Sequence, residues 1–293
     1  MQDAISKAAA LVEAHEHIRR FENKTIVVKV GGSIMDDPAA LKSLINDVCF
    51  MDAVGMRPVI VHGGGKSITE AMQKAGLEAQ FVQGRRYTDE RTLAIAEHVL
   101  VNEVNKGIVD AINSLEHRGM GLHSLSSCVV FGKRLFLPAP EDPSRKIDLG
   151  FVGEVAWVNG PLLKALVEGE VIPVIAPIAR DQAGGKLNIN ADSVAGHVAA
   201  ALKAEKLMLV SDTHGIRTSE DADSLASHLT KSQIQDLVEA GVISAGMLPK
   251  VEATFTALEG GVNKAHIIDG RIPHSLLLEI YTTQGIGTEI VLG

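Results

Sequence analysis

The chain has 293 residues, 46% of them hydrophobic, and a formal net charge of −8. A chain of this length can bury about 75% of its unfolded surface, and an acidic balance without a basic stripe argues against a nucleic-acid partner. No uncharged apolar run reaches the ~18 residues of a membrane span, no basic segment followed by an apolar core opens the chain, and Cys49 and Cys128 sit in apolar surroundings without metal-ligand spacing, so a soluble cytoplasmic protein with reduced thiols is expected.

Residues 3–20 place Ile5, Ala8, Ala9 and Val12 among charges at helical spacing. This amphipathic helix has no partner in its own sequence neighbourhood, and another subunit is one candidate to cover its stripe. From residue 25 the pattern alternates. Strands are expected at 25–30, 57–62, 171–178, 206–212 and 264–269, and helices at 38–53, 66–76, 89–117, 160–169, 191–204, 231–240, 248–259 and 273–282. Continuous β-branched runs, apolar on both faces, need cover on both sides. The order predicts a three-layer α/β/α sandwich around a mostly parallel sheet. Residues 80–90 and 124–157 change character, with short strands and turn residues, and predict β-hairpins standing off the sheet as a substrate lid.

In open parallel sheets ligands bind beyond the carboxyl ends of the strands. Three polar, glycine-containing clusters follow expected strands: GGS after Val30, GGGK after His62, and SDTHG after Val210. They are therefore read as one site. The GGGKS run resembles the tail of a P-loop, but Ile60 stands where that motif requires its first glycine. What remains is a flexible turn leading into a helix N-terminus, which favours an anion.

Lys29 lies inside an apolar strand, where an unpaired ammonium is costly. It either snorkels to the sheet edge or faces phosphate oxygens beside an anion cradle of Gly31 and Gly32 amides. Pro249 suits a first helical turn, which sets Lys250 against the helix dipole unless an anion intervenes. In 186-KLNINADSVAG-196, Asn188, Asn190 and Asp192 alternate as an extended chain enters a helix. Some of them must cap that helix, and an aspartate between two lysines would set their spacing. Arg85 and Arg86 share a hairpin tip; one should point inward to bind a carboxylate and the other to solvent. Kinase HRD and DFG sets, GxSxG, HExxH and a strand-following GxGxxG are missing from the sequence.

Taken in order, the segments IRRFENKTIVVKVGGS, VIVHGGGK, QGRRYTD, LGFVGEV, LNINAD, GMLPKVEA and IIDGRIPHSLLLEI resemble the N-acetylglutamate kinase branch of the amino-acid kinase family. The resemblance runs from about residue 10 to the C-terminus and implies the amino-acid kinase fold. It implies ATP with Mg²⁺ as co-substrate, the metal arriving with ATP rather than on protein ligands. It further implies that Lys29 and Lys250 are the transition-state lysines and Asp192 their organiser. Gly64, Gly65, Arg86, Asn188 and Asn190 would hold N-acetyl-L-glutamate, with Arg86 on its α-carboxylate. Gly31, Gly32, Ser33, Ser211 and Asp212 would face the nucleotide. Residues 21–185 would form the acceptor lobe and 186–293 the nucleotide lobe. The N-terminal helix and His266, Glu279 and Gly287 resemble arginine-inhibited hexameric members, although His17 stands where those usually have tyrosine; a homo-oligomer, dimer or hexamer, is implied. Lys66, SDTHGI and Ser244-Ala245 depart from the common pattern and touch the nucleotide contacts. Other readings of the same residues are a carbamate or different carboxylate kinase, and a non-catalytic arginine sensor.

Overall fold

The computed structural model describes residues 1–293 except 125, 143, 220, 222, 223, 245, 283 and 284, and leaves aside the side chains of residues 2–4, 6–8, 10, 11 and 13. Ala245 therefore lies outside the described residues, and of Ala8 only the backbone is described. The main sheet has eight strands, and only the pairing of Lys264–Asp269 with Thr288–Val291 is antiparallel among its neighbours. Thr25–Val30 sits centrally, between Lys206–Ser211 and Arg57–His62.

Strand side chains alternate between faces, and here the two faces feed two cores. Val27, Val61, Leu209 and Ile267 pack with helices Gly160–Glu168, Ala191–Leu202 and Leu248–Glu259. Ile26, Val28, Met208 and Ile268 pack with Pro38–Ala53, Lys106–Ser114 and Ser275–Tyr281. Both faces are thus covered by helices, as the continuous apolar strands require. Helix Pro38–Ala53 begins where expected, because Asp37 accepts from the amides of Ala39 and Ala40 at 2.9 and 3.1 Å and Pro38 fixes the first turn.

Two expectations are corrected. The strand expected over 171–178 is split into Ile172–Ile175 in the main sheet and Ile178–Arg180 elsewhere, with Pro177, which has no N–H for a ladder, between them. The hairpin region of 124–157 does not stand free. Val130–Pro138 and Lys146–Val158 close with Ile178–Arg180 and Lys186–Ile189 into a four-stranded barrel. Its apolar interior, including Val130, Val155, Leu187 and Ile189, joins the first core. Among the described residues, Phe81–Val82 and Arg85–Arg86 form a separate hairpin.

The barrel matters for the site because its strand Lys186–Ile189 runs directly into helix Ala191–Leu202. That helix packs closely on Leu248–Glu259: a Cβ at Gly196 would fall 2.6 Å from the carbonyl oxygen of Ala253. Alanine inside a helix ordinarily adds about 1 kcal/mol relative to glycine. At Gly196 the backbone collision should reverse that sign, and Gly196→Ala should lose about 1–3 kcal/mol in urea unfolding. A stabilised variant would contradict the packing described.

Candidate active site

Because the central strands are parallel, Val30, His62, Ser211 and Asp269 all end at one edge of the sheet. The turns that follow meet there. The Gly63 amide donates to the Val30 carbonyl at 3.0 Å, and a Cβ at Gly32 would lie 4.0 Å from the Gly65 nitrogen. A cleft of about 240 Å³ opens between them, lined among others by Lys29, Gly32, Gly64, Arg86, Asn188 and Asp192. That is below the ~300–1,000 Å³ usual for drug-sized ligands and suits a molecule of amino-acid size.

At its floor Lys29 Nζ lies 2.8 Å from Asp192 Oδ1, the two residues being 7% and 6% exposed. Burial alone would raise the Asp192 carboxyl, but the charges of Lys29 and Lys250 hold it below its usual range. Lys250 is half-buried in the first turn of Leu248–Glu259, behind Pro249, and close enough to act on Asp192 without lining the cleft itself. Lys29 is therefore paired inside the protein and does not snorkel.

Asn190 is the N-cap of helix Ala191–Leu202, its side-chain oxygen accepting from the Ser193 amide at 3.0 Å. The capping reading and the cleft reading both hold for it, since it also borders the cavity. Asn188 donates to the buried Thr88 hydroxyl at 3.4 Å, and Thr88 donates to the Arg86 carbonyl at 3.0 Å.

Arg86 Nη2 donates to the Gly65 carbonyl and to Thr69 Oγ1, both at 2.8 Å, and Nη1 lies 3.3 Å from Met72 Sδ. The guanidinium also covers the Phe81 ring at 4.8 Å. Three of its five N–H groups are engaged, which leaves two for a ligand, and burial pulls its pKa down. Arg85 is not turned to solvent as expected. The hairpin stands over the mouth of the cleft, so Arg86 reaches helix Gly65–Lys74 while Arg85 borders both the cleft and a small cavity beside Ser193, Pro249 and Glu252.

The residues expected to face the nucleotide depart from expectation in detail. The Gly31 amide is committed to the Val210 carbonyl at 2.9 Å, so it offers no donor to a phosphate. Gly31 is nonetheless required, because a Cβ there would lie 2.9 Å from that same oxygen. Gly32 lines the cleft, whereas Gly31 and Ser33 do not. Ser211 is buried and shares a 3.0 Å hydrogen bond with Thr213. Asp212 is exposed and borders a second cavity of about 470 Å³ with His214, Ser244, Met247 and Arg271. Arg271 is held there by Asp269, through Nη2 at 2.6 Å.

His266, Glu279 and Gly287 come together at the opposite edge. His266 Nδ1 and Glu279 Oε1 are 2.6 Å apart, and Glu279 Oε2 accepts from the amides of Ile286 and Gly287 at 2.6 and 3.1 Å. A cavity of about 380 Å³ beside them is lined by His17, Lys206, Glu279, Gly285 and Glu289. Among the described residues no group of three His, Cys, Asp or Glu side chains could hold a metal ion, and no helix is long and apolar enough to cross a membrane.

The apolar walls of this cleft, Leu100, Val152 and Pro177, escape sequence reasoning because they lie in ordinary apolar runs. Arg271 had a signal, a cation directly after a strand-ending Asp-Gly.

A model of the amino acid kinase family matches residues 24–269, and the chain belongs to that family. More particularly, it is 44% identical over 291 residues to the acetylglutamate kinase of Symbiobacterium thermophilum, covering 99% of each. It is 46% identical to that of Geotalea daltonii, again over 99% of each. Among solved structures, N-acetylglutamate synthase from Neisseria gonorrhoeae, complexed with coenzyme A and N-acetyl-glutamate, superposes with a TM-score of 0.84 at 24% identity. That match covers 97% of this chain but 63% of the synthase, and it shows the shared fold.

The ion pair sets a pH dependence. The folded-state pKa of Asp192 is depressed, so its contribution to stability is full above the unfolded value of ~3.9 and is lost as pH falls through the lower folded value. Asp192→Asn should therefore unfold at lower denaturant than the parent at pH 7, and the gap should shrink steadily below about pH 4. A gap independent of pH, measured by denaturant titration, would mean that the charge is not what stabilises.

Proposed function

We propose that the chain transfers the γ-phosphoryl group of ATP to the γ-carboxylate of N-acetyl-L-glutamate, giving N-acetyl-L-glutamyl 5-phosphate and ADP, a step of arginine biosynthesis in the cytoplasm. One observation carries the reading: the buried Lys29–Asp192 pair, with the Lys250 charge beside it, at the floor of a cleft bordered by both glycine turns and Arg86. The names of relatives at 44% and 46% identity supply the acceptor.

The chemistry asks for what the cleft holds. A γ-carboxylate with a pKa near ~4.3 is already ionised at neutral pH, so no general base is needed. The barrier is the approach of one anion to another, and preorganised positive charge lowers it. Lys29 enters from the sheet and Lys250 from a helix N-terminus, and Asp192 keeps their ammonium groups apart and aimed. Arg86 is the counter-charge for the α-carboxylate, Asn188 is a polar contact for the acceptor, and Gly64 and Gly65 let it approach the backbone. Mg²⁺ arriving with ATP would add further positive charge. Residues 21–185 act as the acceptor lobe and 186–293 as the nucleotide lobe, the adenine end facing the cavity of Asp212, His214 and Met247.

The third cavity, with its buried His266–Glu279 pair and acidic Glu289, suits a cationic amino acid, and we assign it to arginine as inhibitor. Ile5, Ala9 and Val12 on helix Gln2–Phe21 are exposed, which leaves that face for another subunit in a homo-oligomer, dimer or hexamer. Transfer to carbamate or another carboxylate is the alternative reading, and so is an arginine sensor without catalysis.

Hydroxylamine trapping of acyl phosphate, with ATP and Mg²⁺, should give product with N-acetylglutamate and none with free glutamate. Lys29→Ala should lower turnover at least ~100-fold, as loss of a transition-state charge donor does. Product from carbamate or glutamate instead, or an undiminished Lys29→Ala rate, would contradict the assignment. Millimolar arginine should inhibit, and sedimentation should show a species larger than one chain; a monomer indifferent to arginine would remove the regulatory half.

A further inference from the structure

The helix expected over 89–117 is interrupted by π-helical turns at Val99–Asn105, between Glu90–His98 and Lys106–Ser114. Two side chains of that segment reach the acceptor turn, Leu100 and Asn105, which are 1% and 2% exposed. Residues five apart on an α-helix point about 140° away from each other. A π turn, closed by i→i+5 hydrogen bonds, brings them onto nearly one face. Leu100 packs on the backbone of the turn, its Cδ2 lying 2.7 Å from where a Cβ of Gly64 would be. Asn105 reaches further, its Nδ2 lying 2.9 Å from the Val174 carbonyl oxygen and 3.0 Å from His62 Nε2.

These contacts determine where the protons are. A carbonyl only accepts, so the amide nitrogen of Asn105 must face Val174. Its second N–H then points at Nε2 of His62, which must be bare to accept it. The ring proton therefore sits on Nδ1 and is donated to the Gly63 carbonyl at 2.8 Å. His62 is wholly buried, and burial pushes its pKa down to about 4, so the ring is neutral at physiological pH. The chain Val174–Asn105–His62–Gly63 has one consistent arrangement of donors. Gly121 makes room for it: a Cβ there would fall 2.3 Å from Asn105 Oδ1.

We propose that Asn105 is a positioning residue for the phosphoryl acceptor: by fixing His62 in its Nδ1–H tautomer it pins the Gly63 carbonyl, and with it the Gly63–Gly65 turn that borders the acceptor cleft. The proposal rests on the acceptor reading given above for that cleft. Its function is to hold a binding surface rather than to touch reacting atoms. Removing Asn105 lets the ring adopt the other tautomer, in which Nε2 carries the proton and Nδ1 no longer holds Gly63. Weaker ground-state binding of the acceptor should follow, with the chemical step little changed.

Two measurements on the intact 293-residue chain test this. Nitrogen-15 NMR of histidine-labelled wild-type protein should show His62 as the neutral Nδ1–H tautomer at pH 7, without any substrate. Asn105→Ala should mix the tautomers and raise the KM for N-acetylglutamate about tenfold, while kcat changes less than threefold and the KM for ATP stays constant. Gly121→Ala, which displaces the Asn105 amide without altering His62, should give the same split and keeps the test available if Asn105→Ala does not fold. A wild-type Nε2–H ring, or a folded variant whose acceptor KM is unchanged, overturns the proposal. A wild-type protein that makes no acyl phosphate from N-acetylglutamate would instead overturn the acceptor reading, while the tautomer measurement would still judge the network.

Discussion

A phosphoryl group passes between two anions only where positive charge has been placed in advance, and placing it means burying an ammonium group. In the proposed reaction the Lys29–Asp192 pair carries that constraint. Burying either charge alone would cost several kcal/mol, and the mutual attraction repays it only when geometry is good. Here the geometry is supplied from two directions. Lys29 is fixed by a central strand with neighbours on both sides, and Asp192 by the first turn of a helix capped by Asn190. The barrel exists, in this view, to deliver that turn to the sheet edge, because its last strand leads directly into it.

Parallel strands make the remaining convergence cheap. Each strand end contributes a turn to the same edge, and glycine at Gly31 and Gly64 lets those turns approach within van der Waals distance of neighbouring backbone and side chains. The cavities are separated by position: one cleft lies between the first two turns, a second cavity lies beyond Ser211 and Asp269, and a charged cavity gathers Lys206 and His266 at the far edge of the same strands.

Much of this was legible in the sequence, for identifiable reasons. Strands 25–30, 57–62 and 264–269 are short, mostly apolar runs, and no helical period competes with them. Lys29 announced itself as a charge inside such a run, and Asp192 as an acid at a helix entrance. Other features depend on distant partners and left little local trace. Ile178 to Arg180 joins the barrel only because Phe131 and Asn188 lie alongside it. The edge strands Gly119–Leu122 and His228–Thr230, and Thr288–Val291 beside the latter, are three or four residues long, too short to show a period. The π-helical turns at Val99–Asn105 keep an ordinary helical pattern in the sequence. The Gly31 amide was expected to face a phosphate, and a neighbouring carbonyl, invisible in one strand's sequence, claims it.

The central claim is that positive charge converges on the phosphoryl group in flight and not merely on bound nucleotide. It is tested most directly by calorimetric titration of ADP, Mg²⁺ and aluminium fluoride in the presence of N-acetylglutamate, set beside titration of a non-hydrolysable ATP analogue, in the parent and in Lys250→Met. Differential binding requires that the loss be much greater for the fluoride complex than for the ATP analogue, by at least ~10-fold. Equal losses for the two ligands would show that Lys250 only helps hold nucleotide, and would contradict the account.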